Sequence, residues 1–316
     1  MIEILPILLG GLVLFLYAIS QLSEVLKGLF SSRAQRVITR YTRNIYSGIL
    51  IGTVLTIMLD SSSAVIIMVI VLINAQVLSL KEAFGIIMGA NIGTTFSSQI
   101  IALNIAQYSV IPLAIGLILE IFARDRKLVR FGKISLYFGM LFFGLYIMEQ
   151  SVLPLRDSEV FNDWITRIEG NHIYGALIGG LITLIIQSSS GTVGMAIILG
   201  KQGLLSIAGG IAIMLGAELG TCSDTLLATI RGRRQAIKAG VFHLFFNFAT
   251  IILGLLLFTP FMTLVQLISG SQDIGHQIAN AHVLFNVAGV VIFLPFVPLA
   301  ERLLNRWIPE KELPSL

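Results

Sequence analysis

Apolar residues along this chain fall in long blocks rather than alternating with polar ones. Ile4 to Leu22, Ala83 to Leu103, Ile207 to Ile230, Ala239 to Phe258 and Ile278 to Val297 each hold close to the ~20 apolar positions a helix needs to cross a bilayer. Val110 to Ala123 and Ile134 to Met148 are shorter and contain glycine, but charged or polar loops bound them and they read as further spans. A second kind of block is about half a membrane long. Gly48 to Leu59 and Ala64 to Ile73 are parted by Asp60-Ser61-Ser62-Ser63, and Gly175 to Ile186 and Val193 to Leu199 by Gln187-Ser188-Ser189-Ser190. These pairs predict two re-entrant helical hairpins.

The two hairpins belong to an internal repeat at an offset of 127 residues. Gly48, Leu50, Ile51, Gly52 and Thr56 recur as Gly175, Leu177, Ile178, Gly179 and Thr183, and the triplet Ser61 to Ser63 recurs as Ser188 to Ser190. Leu78-Ser79 returns as Leu205-Ser206, and Gly89-Ala90-x-x-Gly93-Thr94 as Gly216-Ala217-x-x-Gly220-Thr221. Glycines and polar residues at a constant offset are not what chance similarity between apolar helices produces. Residues 1–130 form the first repeat, with a helix, a hairpin at 44–75, a broken helix at 82–104 and a helix at 108–123. Residues 131–260 form the second, with a helix, a hairpin at 173–200, a broken helix at 207–230 and a helix at 239–259, and 261–316 add a final span and a short tail. The predicted fold is an all-α polytopic membrane protein of two inverted repeats.

Composition sharpens this. Of 316 residues, 56% are hydrophobic and 12% charged, about half the charge of a soluble domain, so a soluble enzyme is excluded. A net charge of +4 with no clustered basic face on a soluble domain argues against nucleic acid. The single cysteine, Cys222, has no partner for a disulfide, and Glu3 and Pro6 ahead of the first apolar block do not resemble a cleaved leader. Basic residues set orientation instead. Lys27, Arg33, Arg36, Arg40 and Arg43 follow the first span without an intervening acid after Lys27, whereas the matching stretch of the second repeat carries Glu149, Asp157, Glu159, Asp163 and Glu169. Threading puts Arg124, Arg126, Lys127, Arg130 and Lys133, and then Arg231, Arg233, Arg234 and Lys238, on the first side too. The positive-inside rule then places the N-terminus outside and the C-terminus inside the cytoplasmic membrane. Arg33 to Arg43, with Leu29, Phe30, Val37 and Tyr41 between, predict a helix on the inner leaflet against anionic lipid, with Val160, Phe161, Trp164, Ile165 and Ile168 as its outer counterpart.

Three consecutive serines cannot share one helix face, since neighbours differ by about 100 degrees, so each triplet belongs at a helix break. A helix starting there offers unpaired N–H groups and the hydroxyls of Ser61, Ser62, Ser63, Ser188, Ser189 and Ser190, a donor set suited to an oxyanion. Such half-helix ends lie near the bilayer midplane in inverted-repeat transporters. Serines that merely pack and cap are the plain alternative, which duplication makes the weaker one. Behind the hairpins, flanking glycines predict local unwinding around Asn91, Thr94, Thr95, Glu218 and Thr221, whose oxygens suit a cation, with close helix packing as the competing explanation. His243 with Asn247 and His282 with Asn286 share a His-x-x-x-Asn spacing that suits interhelical hydrogen bonds better than a proton relay.

Gln187-Ser188-Ser189-Ser190, Gly89-Ala90-Asn91-Ile92-Gly93-Thr94-Thr95 and the Ala-His282-Val-Leu-Phe-Asn286 segment resemble the sodium-dependent phosphate cotransporter family, bacterial relatives of type II sodium/phosphate cotransporters. The resemblance covers both repeats. It implies sodium-coupled movement of inorganic phosphate, with the two serine triplets, Asn91, Thr94 and Thr221 around the anion and Asp60, Gln187, Asn91, Thr95, Glu218 and Thr221 around sodium. It implies no cofactor beyond sodium as coupling ion, and it leaves a homodimer open. Asp60 stands where the family usually has glutamine and Glu218 where it usually has asparagine. Each intramembrane carboxylate costs ~2.5 kcal/mol or more unless paired, so each predicts a partner, a sodium ion or a proton among them. An N-cap role is the alternative for Asp60, and an ion pair or a protonated acid for Glu218. Importing a divalent phosphate against 100 mV costs about 4.6 kcal/mol, which two sodium ions cancel and a third reverses. Another oxyanion, proton coupling and efflux remain compatible with these residues. A passive channel predicts flux without saturation. An intramembrane serine hydrolase built on Ser190 with His243 or His282 leaves the duplicated triplets unexplained.

Overall fold

The structure, a computed structural model, describes residues 4–103, 105–229 and 232–309, with the side chains of Ile4, Leu5, Phe30 and Ser31 outside the description. Of the residues singled out above, Glu3, Ile230, Arg231 and the side chains of Ile4 and Phe30 thus lie outside the described residues. Every regular element among the described residues is helical. In order these are α1 (Ile4–Tyr41), α2 (Ile45–Leu59), α3 (Ser62–Asn74), α4 (Leu80–Ala102), α5 (Val110–Phe122), α6 (Arg126–Val152), α7 (Glu159–Gly170) and α8 (His172–Ile186). There follow α9 (Ser189–Lys201), α10 (Ile207–Gly220), α11 (Cys222–Thr229), α12 (Arg234–Leu256), α13 (Phe258–Ser269), α14 (Ile274–Phe293) and α15 (Val297–Trp307). Hydrocarbon offers no water to the backbone, which is why the whole apolar content is spent on helices. Among the described residues, Pro6–Leu29, Arg126–Asp157, Ile207–Thr229, Arg234–Leu256 and Ile274–Trp307 are long and apolar enough to cross a membrane. This is a membrane protein.

The surface and the interior have exchanged the usual roles. Leu177, Leu181, Leu184 and Ile185 of α8 and Ile111, Ile115, Ile118 and Ile121 of α5 point outward, while Asn91, Ser98, Glu218, His243, Asn247, His282 and Asn286 are buried. Ser79 and Ser206 cap α4 and α10 at equivalent positions, Ser79 reinforced by Glu82 in a reciprocal pair.

Glycine governs the tightest crossings, and the same crossing occurs in both halves. A Cβ on Gly52 would strike the Ile86 carbonyl and one on Gly89 the Ile49 carbonyl, so α2 and α4 meet backbone to backbone. Their counterparts Gly179 and Gly216 face the Ile213 and Ala176 carbonyls between α8 and α10. Close packing through small residues is how helices bind in lipid, where burial from water offers no driving force. Gly89→Ala and Gly216→Ala are each expected to cost at least about 1–3 kcal/mol by overpacking, read as a lowered Tm in detergent. Gly10→Ala, with nothing within 4 Å of the added carbon, should leave Tm unchanged.

Several sequence expectations change here. Unwinding at Gly89 to Thr95 does not occur, because α4 is continuous; its glycines are braced against α2, and Thr94 and Thr95 return their hydroxyls to the Ala90 and Ile92 carbonyls. The equivalent helix in the second half is interrupted only at Thr221. The basic stretch after the first span is not a separate surface helix but the end of α1, since no proline breaks it, and Ala34 and Ile38 on it are buried in the cluster containing Phe84 and Phe242. Its counterpart α7 is a separate helix bent 116° from α8. The helices α13 and α15 were not foreseen as elements.

Candidate functional site

The hairpin tips are built alike. Asp60 ends α2 in the left-handed region (φ 48, ψ 37) and Gln187 ends α8 the same way (φ 53, ψ 35). Neither is glycine, and left-handed residues with side chains gather where function requires the side chain. One residue later Ser61 caps α3, accepting from the Ala64 amide at 3.2 Å, and Ser188 caps α9, accepting from the Gly191 amide at 3.1 Å. Asp60 is therefore the C-terminal end of one helix and not the N-cap of the next. With the first serine used as cap, Ser62, Ser63, Ser189 and Ser190 occupy the first turns of α3 and α9, where helix geometry leaves backbone amides without intrahelical acceptors.

Both tips line one cavity of about 290 Å³. Its walls carry Asp60, Ser61, Ser62, Ser63, Gln187, Ser188, Ser189 and Ser190, with Thr94 of α4 and Thr221 behind them. Three predicted residues are elsewhere. Asn91 is buried, donating to the Asn247 side chain; Thr95 is turned to its own helix; and Glu218 lies against His282. Residues that the sequence reading did not nominate complete the wall: Ser97 of α4, which donates to Asp60, and Ser20, Ser23 and Lys27 of α1. Ser23 also donates to the Leu59 carbonyl at 3.2 Å, tying α1 to the first tip. A signal for these existed. Ser20, Ser23 and Lys27 recur at three- and four-residue spacing where the apolar stretch of α1 gives way to polar residues, and Ser97 is the repeat mate of Asp224.

That last correspondence reveals an exchange of charge between the halves. The first tip has Asp60 with Ser97 behind it, while the second has Gln187 with Asp224 at the position equivalent to Ser97. Asp224 nevertheless serves the first tip, accepting from Ser63 Oγ at 2.9 Å. Both carboxylates are thus gathered around the α2–α3 tip.

Behind the cavity, the two His-x-x-x-Asn helices each bridge both halves. His243 of α12 faces Thr225 Oγ1 at 3.0 Å while Asn247, one turn on, accepts from Asn91 of α4 and donates to the Glu218 carbonyl at 2.9 Å. His282 of α14 meets Ser98 of α4 through Nδ1 at 2.7 Å and Glu218 of α10 through Nε2 at 2.6 Å. With Glu218 ionised, Nε2–H donates to it and Nδ1 accepts from the Ser98 hydroxyl. These residues have the composition of a hydrolytic triad, with Ser98 and His282 both 0% exposed. The partner that Glu218 was expected to need is a histidine.

A sequence model of the Na+/Pi-cotransporter family matches the chain at residues 14–150 and again at 155–292. The chain belongs to this family. Among its relatives is YqeW of Bacillus subtilis (strain 168), 30% identical over 313 residues, covering 96% of this chain and 99% of that one. The Escherichia coli (strain K12) protein YjbB, named as a candidate inorganic phosphate export protein, is 23% identical over 274 residues, 86% of this chain and 50% of its own length. The human sodium-dependent phosphate transport protein 2B is 32% identical over 131 residues, 38% of this chain and 19% of its own. No solved structure matches. Family membership makes this a chain of transporter kind.

Proposed function

We propose that this protein is a secondary active transporter that carries inorganic phosphate between two serine-rich hairpin tips, coupled to sodium by alternating access. The observation that carries this reading is the convergence of Ser61 to Ser63 and Ser188 to Ser190 on one cavity. The ionised oxygens of phosphate accept hydrogen bonds and cannot donate them, and the cavity is lined by hydroxyl donors and by two helix N-termini, the combination that binds oxyanions. Thr94 and Thr221 extend the donor set. In this reading Asp60 and Gln187 hold sodium beside the anion, whose negative charge would otherwise oppose Asp60. Asn91, Thr95 and Glu218 are assigned a bracing role instead, given their partners above.

The repeat offset, the paired crossings and the basic loops support inverted halves in the cytoplasmic membrane, N-terminus outside. Anionic lipid would meet Arg33, Arg36 and Arg40, which are exposed on α1. Either direction of net movement uses the same site, and the likeness to YjbB favours testing efflux alongside uptake.

Radiolabelled phosphate uptake into proteoliposomes decides the coupling. An inward sodium gradient should drive saturable accumulation that potassium substitution removes. Accumulation driven by a proton gradient instead would transfer the coupling role to protonation at Asp60, and no phosphate movement under any gradient would refute the substrate.

A further inference from the structure

Among the described residues that line the cavity, Lys27 of α1 is the lone cation and Asp60 the lone acid, with Asp224 hydrogen-bonded to the lining Ser63. Taken with the functional reading above, on which this inference rests, we propose that Lys27 is an anion-capturing residue, the positive charge offered to phosphate itself in a cavity whose Asp60 is given over to sodium.

The geometry supplies the means. Ser20, Ser23 and Lys27 stand at positions three and four apart, so they share one stripe of α1 facing the cavity. Lys27 sits at the C-terminal end of that stripe, toward Arg33, Arg36 and Arg40. Its ammonium contacts Glu24 at 3.0 Å, with side-chain exposures of 35% for Lys27 and 65% for Glu24. An exposed pair of this kind holds a lysine weakly. The flexible four-carbon stem can then turn the ammonium from Glu24 to an anion in the cavity, carrying three donors with it. Sodium held at Asp60 would offset that carboxylate alone, and Asp224 also reaches the first tip through Ser63, so a phosphate dianion still lacks a positive charge that the ammonium can supply. The ammonium also provides a discriminating feature: it favours a dianion over a neutral polyol of similar size, which the serines alone would not.

The test is equilibrium binding of inorganic phosphate to purified protein in detergent at saturating sodium, by isothermal titration. Lys27→Gln should raise Kd by about tenfold, and Lys27→Arg should stay within about threefold of wild type, since charge and not shape is required. An unchanged Kd for Lys27→Gln, or equal losses for Lys27→Gln and Lys27→Arg, overturns the inference while leaving the functional reading intact. Wild-type protein that binds no phosphate overturns the functional reading and this inference with it. A wild-type Tm for each variant establishes that the change is in the site and not in the fold.

Discussion

Alanine at both Ser62 and Ser189 is expected to lower kcat/KM for phosphate uptake by about a hundredfold or more. Each hydroxyl sits in the first turn of a helix that begins at the cavity, and a hydrogen bond to a charged group contributes about 1.5–3 kcal/mol, where each ~1.4 kcal/mol is tenfold. Ser61 and Ser188 remain as the caps, so the helices keep their starts and Tm should hold. Initial rates in proteoliposomes under a sodium gradient measure the first effect, and detergent melting the second. Uptake at the wild-type rate would sink the assignment of the tips to the anion. Lost uptake together with a collapsed Tm would point to a structural role.

The second large effect concerns stability. His282→Leu should destabilise the protein by about 3–5 kcal/mol, because it strands the Glu218 carboxylate at 4% exposure with its partner removed. Glu218→Leu combined with His282→Leu should recover much of that loss, since a buried pair exchanged for apolar side chains of similar volume is often neutral or better. Denaturant unfolding of the two single variants and the double variant supplies the cycle. A double variant as unstable as His282→Leu alone would mean that His282 is needed for Ser98 or for packing, and not for the charge of Glu218.

The helical architecture was legible because the length of the apolar spans follows from the bilayer, and the offset of 127 residues exposed the paired half-length helices before any coordinates. The serines at the tips were legible for a related reason: consecutive serines have no use on a regular helix face. What the sequence hid were choices made by tertiary neighbours. Asn91 and Glu218 have the oxygens of cation ligands, and only the positions of Asn247 and His282 reveal that those oxygens are already engaged. The glycines of α4 could loosen a helix or admit another, and the carbonyls of α2 decide between the two. Lys27 read as one of several loop cations, because a single sequence does not announce which face of α1 meets the tips.

The crossings at Gly52 with Gly89 and at Gly179 with Gly216 bear on how an anion could change sides. Backbones in direct contact leave no compressible layer of side chains, so α2 with α4, and α8 with α10, behave as welded plates. Sliding within either plate would drive Cα into carbonyl. The joints that can give are those sealed by side chains: α1 against the first tip, tied there by the Ser23 hydrogen bond to the Leu59 carbonyl, and α9 against α4 and α14. On the alternating-access reading proposed above, two stiff leaves would travel past softer joints, with the serines carried beside them on the first turns of α3 and α9.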